Sequence, residues 1–219
     1  MTGKRRVREL LVEGPSSIGA RARSRRWAYF HAQFPEVADM RVLDLGGTVD
    51  AWMRAPVRPN HVTVLNLLEP GRSEEAWLTA VSGDACDPPT QIRTGEFDLV
   101  FSNSLIEHVG GHARRQELAR IASTLAPSYW VQTPYRFFPV EPHFLFPGLQ
   151  FMPIPAQAAI VRRWPLVHTR PESHDAAMRV VQWTELVGVE QLRGYFPDGR
   201  ILRERLVGLT KSLIAVKCG

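Results

Sequence analysis

Cysteine is scarce in this 219-residue chain, which contains only Cys86 and Cys218. Two thiols are too few for a disulfide framework or a cysteine-rich zinc site, so we expect a reducing compartment, the cytoplasm. A long apolar run is also lacking, because the most apolar stretch, 144–161, is interrupted by three prolines. Proline breaks helical hydrogen bonds, so we expect no membrane span. The basic N-terminus has no apolar core, which argues against a secretory signal.

The chain has only a small excess of positively charged residues. Lys and Arg number 27 against 22 Asp and Glu, a net charge of +5. Such an excess suits anionic partners but does not require nucleic acid. A hydrophobic content of 44% and this length predict one domain with its own core. Much of the excess lies in eight residues near the N-terminus: Lys4, Arg5, Arg6, Arg8, Arg21, Arg23, Arg25 and Arg26.

From residue 41 onward, short β-like runs alternate with helix-like stretches, a pattern typical of an α/β fold with a mostly parallel sheet. The last two strands are expected to form a hairpin-like pair around Gly208. We predict a final helix capped by Thr184. The predicted strands are 41–45, 61–67, 78–82, 97–102, 129–132, 200–207 and 211–217, and the predicted helices are 17–34, 105–125 and 184–196.

The segment 133–182 departs from this alternation, because it contains eight prolines and many aromatic residues. It directly follows the predicted fifth strand. Ligands of open α/β sheets bind beyond the carboxyl ends of the strands, so an insertion at this point is placed to cover a site. We interpret it as a substrate-binding lid. The predicted divisions of the single domain are a helical cap (1–37), a ligand-binding core (38–132), the lid (133–182) and a closing helix with two strands (183–219).

A candidate ligand loop follows the first predicted strand. Gly46 and Gly47 leave room for backbone amides to approach a ligand, and Asp44 just before them can hold a cationic amine. The dinucleotide pattern G-x-G-x-x-G is absent, because Thr48 and Asp50 occupy positions where it requires glycine. That departure argues against binding of a pyrophosphate.

Polar residues also end the next three strands. Asn66 lies 20 residues beyond Gly46, where nucleoside-binding α/β folds place a side chain on the ribose hydroxyls. Glu69 is the alternative for that contact. Asp84, after the third strand, offers a carboxylate to an adenine amino group. The fourth strand ends in the small polar residues Asn103 and Ser104.

The run VLDLGG, Asn66, the run GDA and the run FDLVFSNSLIEHV together resemble the class I S-adenosylmethionine-dependent methyltransferases. The resemblance covers about 38–132, and the closing strands agree with it. It implies a Rossmann-like, seven-stranded, mostly parallel sheet with helices on both faces and an antiparallel last strand. It also implies S-adenosylmethionine as cofactor and S-adenosylhomocysteine as product. Asn66 departs from the acid usual in this family. The residues that the resemblance assigns to the cofactor are Asp44, Gly46 and Gly47 (methionine part), Asn66 (ribose), Asp84 and Ala85 (adenine), and Asn103 and Ser104 (floor).

Two features of the sequence limit which kinds of methyl acceptor we expect. Family members that methylate exocyclic amines typically carry a Pro-Pro-aromatic run after the fourth strand, where this chain reads SNSL at 102–105. We therefore expect an oxygen, carbon or small-molecule nitrogen acceptor and no nucleic acid. Residues 130–144 resemble small bacterial methyltransferases of glycan and glycolipid synthesis, in particular mycobacterial sugar O-methyltransferases of methylmannose polysaccharides. This implies transfer to a hydroxyl of a sugar or polysaccharide precursor, with Tyr135, Arg136 and Phe144 lining its site.

Histidines supply the candidate general base. His143 can take the acceptor proton while Glu141 orients its ring, and His108 is the second candidate. The alternative role for each is a hydrogen bond to a nearby loop. His108 and His112 have the spacing of a metal pair on a helix, but two glycines separate them and no third ligand is evident. We therefore expect no metal.

Two other functions remain open. One is a methyltransferase for aromatic or quinone-like metabolites. The other is a non-catalytic module that binds nucleotides or RNA through its basic N-terminus, which would show strongly salt-dependent binding. The sequence leaves a monomer and a homodimer equally open.

Overall fold

The structure is a computed structural model that describes Gly14, residues 17–167 and residues 169–219. The basic residues Lys4, Arg5, Arg6 and Arg8 lie outside the described residues, so the predicted helical cap is represented by its second half. His168 also lies outside them.

The strands are β1 (Arg41–Leu45), β2 (His61–Asn66), β3 (Leu78–Ser82), β4 (Leu99–Asn103), β5 (Ser128–Pro134), β6 (Val140–Glu141), β7 (Phe146–Pro147), β8 (Arg200–Leu206) and β9 (Leu209–Lys217). Seven of them form the central sheet in the order β3-β2-β1-β4-β5-β9-β8. Strands β1 to β5 pair in parallel, and β9 runs antiparallel to both β5 and β8. The predicted seven-stranded Rossmann-like sheet with an antiparallel last strand is therefore confirmed.

Helices cover both faces of this sheet. One core joins Phe30 and Trp52 to the sheet residue Trp130, and the opposite core includes Leu118 and Leu192. Among the described residues, no helix combines the length and the apolar character that a membrane span requires. The helices are α1 (Ile18–Gln33), α2 (Val49–Met53), α3 (Thr90–Arg93), α4 (Gly111–Leu125), α5 (Ile154–Arg163), α6 (His174–Gln182) and α7 (Val189–Tyr195).

Two helices begin later than predicted. The helix predicted from Thr184 starts at Val189, because Val187 forms a bridge with Tyr135 and its carbonyl accepts a hydrogen bond from Arg136 N. A backbone paired in this way is extended and cannot be helical. The helix predicted from residue 105 starts at Gly111, because Gly110 and Gly111 have φ of 87° and 61°. Positive φ interrupts a right-handed helix.

The predicted lid segment has its own small core. The β6–β7 hairpin, α5 and α6 follow β5 in the chain, and α5 packs against α6. The buried residues Phe144, Leu149, Val161 and Val181 form one cluster between these elements. The proline-rich segment is therefore a folded layer attached to the carboxyl end of β5.

Helix α1 is held to the sheet by aromatic rings. Phe30 is fully buried, and its ring centroid lies 5.2 Å from that of Phe101 and 5.4 Å from that of Trp130. We expect Phe30→Ala to lower the free energy of unfolding by about 3–5 kcal/mol, because it leaves a cavity between helix and sheet. The neighbouring Tyr29 is 48% exposed, so Tyr29→Ala should cost less than about 0.5 kcal/mol. Urea unfolding of both variants measures this, and equal losses would contradict the packing described.

Candidate functional site

The acid at the end of β1 is buried beneath the glycine turn. Asp44 is 2% exposed, and its Oδ2 accepts a hydrogen bond of 2.7 Å from Trp52 Nε1. Within the described part of the chain, Asp44 Oδ1 has no hydrogen-bond partner. Burial raises the pKa of Asp44 to about 7, although the bond from Trp52 opposes the rise. A carboxylate in this position gains a large stabilisation from a bound cation.

The glycine turn permits close approach to that acid. Gly46 has a φ of 85°, a backbone conformation that favours glycine. A Cβ on Gly47 would lie 1.6 Å from Asp44 Oδ2. Asn66 holds the turn from β2, because its Nδ2 donates to the carbonyls of Gly46 (3.1 Å) and Gly47 (2.8 Å). Only a glycine at position 47 leaves both the turn and the carboxylate in place.

A cavity of about 1080 Å³ opens over this turn, between α1 and the carboxyl ends of β1 and β4. Asp44, Gly46, Gly47 and Asn103 lie in its wall. Its opposite side is aromatic, because Trp27 of α1 stacks on Phe101 at 5.6 Å and also contacts Trp52. The structure thus brings together half of the residues predicted to bind the cofactor.

The other predicted cofactor residues lie outside the lining of this cavity. Asp84 pairs with Arg114 through both oxygens, at 2.8 and 2.7 Å, and Ala85 is buried beside it. The bonds from Arg114 and from Cys86 N lower the pKa of Asp84, although burial opposes them. Ser104 has a φ of 60° and its hydroxyl donates to Gln132 Oε1. The roles of Asn66, Asp84, Ala85 and Ser104 in binding a cofactor stay predictions.

The three predicted catalytic residues form one hydrogen-bonded chain. His143 Nδ1 lies 2.7 Å from Glu141 Oε1, and His143 Nε2 lies 3.2 Å from His108 Nε2. Burial, together with the nearby His143, lowers the pKa of His108 to about 4. The pKa of His143 is raised by Glu141 despite its burial. The two shifts have opposite signs, so His143 is the ring of this pair that more readily takes up a proton.

Two further residues of this region were not among the predicted site residues. Glu107 is fully buried next to the histidines, and its Oε2 accepts from Thr133 Oγ1 at 3.0 Å. Arg26 of α1 bridges Glu204 (3.0 Å) and Asn103 (2.8 Å) at the cavity wall. The only feature of the sequence that could have indicated Glu107 is its position directly before the candidate base His108. The partners of Arg26 are 77 and 178 residues distant, so no local pattern could have indicated it.

A second, smaller cavity of about 330 Å³ lies between the lid and residues 184–186. Its lining includes Arg136 and Phe144, two of the three residues predicted to bind the acceptor, and also Glu141. Tyr135 is not among the lining residues, and its ring packs against Phe137 at 5.6 Å. Glu141 thus joins the lid cavity to the histidine pair.

The fold is shared with solved methyltransferase structures. A methyltransferase structure from Anabaena variabilis matches at 14% identity and a TM-score of 0.54, over 88% of this chain and 83% of that one. Magnesium protoporphyrin IX methyltransferase from Synechocystis PCC 6803, solved with S-adenosylhomocysteine, matches at 11% identity and a TM-score of 0.55. The match covers 98% of this chain and 94% of that one. A Rhodobacter sphaeroides protein named a zinc-dependent alcohol dehydrogenase matches at 14% identity and a TM-score of 0.57. The match covers 99% of this chain and 98% of that one. No protein-family model and no curated protein matches the chain.

The buried acid predicts how stability depends on pH. Folded Asp44 keeps its proton up to a pH of about 7, whereas an unfolded aspartate loses it near pH 4. Between these values the folded state binds the extra proton, so the free energy of unfolding should fall as the pH rises from about 4 to about 7. Asp44→Asn still accepts the Trp52 bond and should remove this part of the fall. Urea unfolding across that range measures the difference between the two proteins, and parallel pH curves would contradict a buried, protonated Asp44.

Proposed function

We propose that this protein is an S-adenosylmethionine-dependent O-methyltransferase that methylates a hydroxyl of a sugar or polysaccharide precursor, such as that of a methylated mannoside, and releases S-adenosylhomocysteine. The observation that carries the proposal is the unpartnered oxygen of Asp44 in the wall of the large cavity. The class I fold agrees with it but does not decide it, because one fold hosts many functions.

The residues around the large cavity fit this cofactor. S-adenosylmethionine supplies a methyl group already activated on a sulfonium, and it also carries a cationic amine. In our proposal that amine pairs with Asp44, whose buried carboxylate otherwise lacks a counter-charge. Gly46 and Gly47 leave the space for it. Asn66 serves the ribose, Asp84 with Ala85 serves the adenine, and Asn103 with Ser104 forms the floor.

The acceptor site of the proposal is the cavity in the lid. Phe144 presents an apolar surface there beside the polar groups of Arg136 and Glu141. A sugar ring requires this combination, since its C–H faces pack on aromatic rings while its hydroxyls hydrogen-bond to polar side chains. Tyr135 contributes by packing against Phe137 behind this wall. Alignment of acceptor and methyl group by these walls would supply up to about 7–11 kcal/mol of the barrier.

The histidine pair is the proposed proton acceptor. His143 is the base, because its Nδ1 is fixed by Glu141 and its side chain is 26% exposed, which gives a hydroxyl access to it. The proton taken from the hydroxyl then lies between His143 Nε2 and His108 Nε2. A base of this kind adds about 10²–10⁴-fold to the rate.

The proposal also includes the compartment. Cys86 is buried and free, and Cys218 is exposed and free. Free thiols fit a reducing cytoplasm. The protein would act there as a monomer or a homodimer, on an acceptor other than nucleic acid.

Cofactor binding is tested by calorimetry with S-adenosylhomocysteine. Wild-type protein should bind it and release protons near pH 7, because the bound amine favours ionised Asp44. The heat should therefore change between buffers of different ionisation enthalpy. Gly47→Ala should weaken binding at least about tenfold, since the added methyl group displaces Asp44. Gly194→Ala is the control, because its Cβ meets nothing within 4 Å. An absence of heat with the wild-type protein would refute the proposed function.

The base is tested by turnover on a panel of mannosides and a panel of phenols. His143→Ala should lower turnover on the mannosides at least about tenfold and leave S-adenosylhomocysteine affinity nearly unchanged. His112→Ala is the matched control, because His112 bonds to Tyr195 Oη at 2.9 Å instead of joining the pair. Unchanged turnover in His143→Ala would show that the base is another group, and transfer only to phenols would show that the acceptor is aromatic.

A further inference from the structure

Three metal-ligating side chains converge where the lid meets the turn after β4. Glu107 and His108 come from that turn, and His143 comes from the lid. One ligand atom of each lies within 4.8 Å of the other two. The sequence separates His108 from His143 by 35 residues, so this convergence is a product of the fold.

Hydrogen bonds fix the tautomer of both rings. His108 Nδ1 lies 3.2 Å from the carbonyl oxygen of Trp183, and His143 Nδ1 lies 2.7 Å from Glu141 Oε1. A carbonyl and a carboxylate only accept, so both Nδ1 atoms carry a hydrogen. In neutral rings both Nε2 atoms then present lone pairs, and these face each other at 3.2 Å. Two facing lone pairs repel each other unless a positive species lies between them.

Glu107 adds a carboxyl group that lacks a full set of partners, and burial raises its pKa. It is fully buried, and its Oε2 is bonded to Thr133. Throughout the described residues no donor reaches its Oε1. A buried carboxylate oxygen without a partner is costly, so this position also favours a cation.

We infer that Glu107, His108 and His143 form a binding site for a late first-row divalent cation such as Zn²⁺ or Co²⁺. Zinc bonds to histidine nitrogen at about 2.0–2.1 Å, so tetrahedral geometry separates two such nitrogens by about 3.3 Å. The observed separation is 3.2 Å. Two imidazoles with one carboxylate favour these ions over Mg²⁺, which prefers oxygen. Glu107 supplies the oxygen ligand of this site, and Glu141 supports His143 as a carboxylate behind a ligating histidine.

The ion and the acceptor proton compete for the same nitrogens. This consequence rests on the proposed function, in which His143 Nε2 takes the proton. A bound ion occupies the lone pairs of both Nε2 atoms, leaves both rings neutral, and so removes the proton acceptor. The ion therefore inhibits methyl transfer, and a chelator restores it.

Binding is tested with the full chain, stripped of metal and titrated with CoCl₂. Wild-type protein should bind about one ion per chain and show the visible absorption of low-coordinate Co²⁺. His143→Ala should abolish the band, Glu107→Gln should weaken binding at least about tenfold, and Glu141→Gln should weaken it by a similar factor. His112→Ala should leave it unchanged. Circular dichroism checks that each variant is folded. An absent band, or a band that survives in His143→Ala, would overturn the site.

Inhibition is tested separately, so that the site and the proposed function fail independently. Zn²⁺ should reduce turnover in wild-type protein at the concentration at which it binds, and a chelator should restore turnover. If no methyl transfer occurs at all, the cobalt titration still decides the metal site. An increase in turnover on adding Zn²⁺ would overturn the competition and, with it, the role of His143 as base.

Discussion

The burial of one carboxylate constrains the whole ligand-binding edge of this protein. Asp44 ends β1 beneath the glycine turn with a single donor, the indole of Trp52. Gly47 cannot be larger without striking it, and Asn66 keeps the turn in place from the next strand. Helix α1 closes the space above through Trp27 and its aromatic neighbours. The cavity, the turn and the covering helix therefore form one unit, whose unsatisfied group is an acid that a cationic ligand would stabilise.

The histidine pair presents the same physical situation at the lid. The feature they share is a gap between two nitrogen lone pairs, bordered by the buried carboxyl groups of Glu107 and Glu141. Each region therefore holds a buried carboxyl oxygen, Asp44 Oδ1 or Glu107 Oε1, that has no hydrogen-bond partner among the described residues. Arg26 lies between the two regions, because it bonds to Asn103 at the cavity and its charge acts on Glu107.

Sequence reasoning succeeded where local pattern decides structure. The bounds of β1 and β3 were predicted to the residue, because each strand is a short β-type run between turn residues. Sequence reasoning failed where a residue distant in the chain determines the local structure or contact. Residues 184–188 lose their helix to a bridge with Tyr135, and His108 meets His143 only after the lid folds back. The glycine turn was predictable because its residues adjoin in sequence, whereas Glu107 and Arg26 gain their significance from tertiary contacts. The ribose, adenine and acceptor contacts are still predictions.

The fold by itself does not select a reaction, because similar sheets occur in proteins named as a methyltransferase and as an alcohol dehydrogenase. The selection must come from what is attached to the sheet. In this chain that is the lid, which supplies Glu141 and His143 to the polar cluster and Arg136 and Phe144 to its own cavity. Because Glu141 belongs to both, the group that orients the histidine also borders the proposed acceptor. In the proposed function, recognition of the acceptor and the state of the base would thus be coupled through one buried carboxyl group.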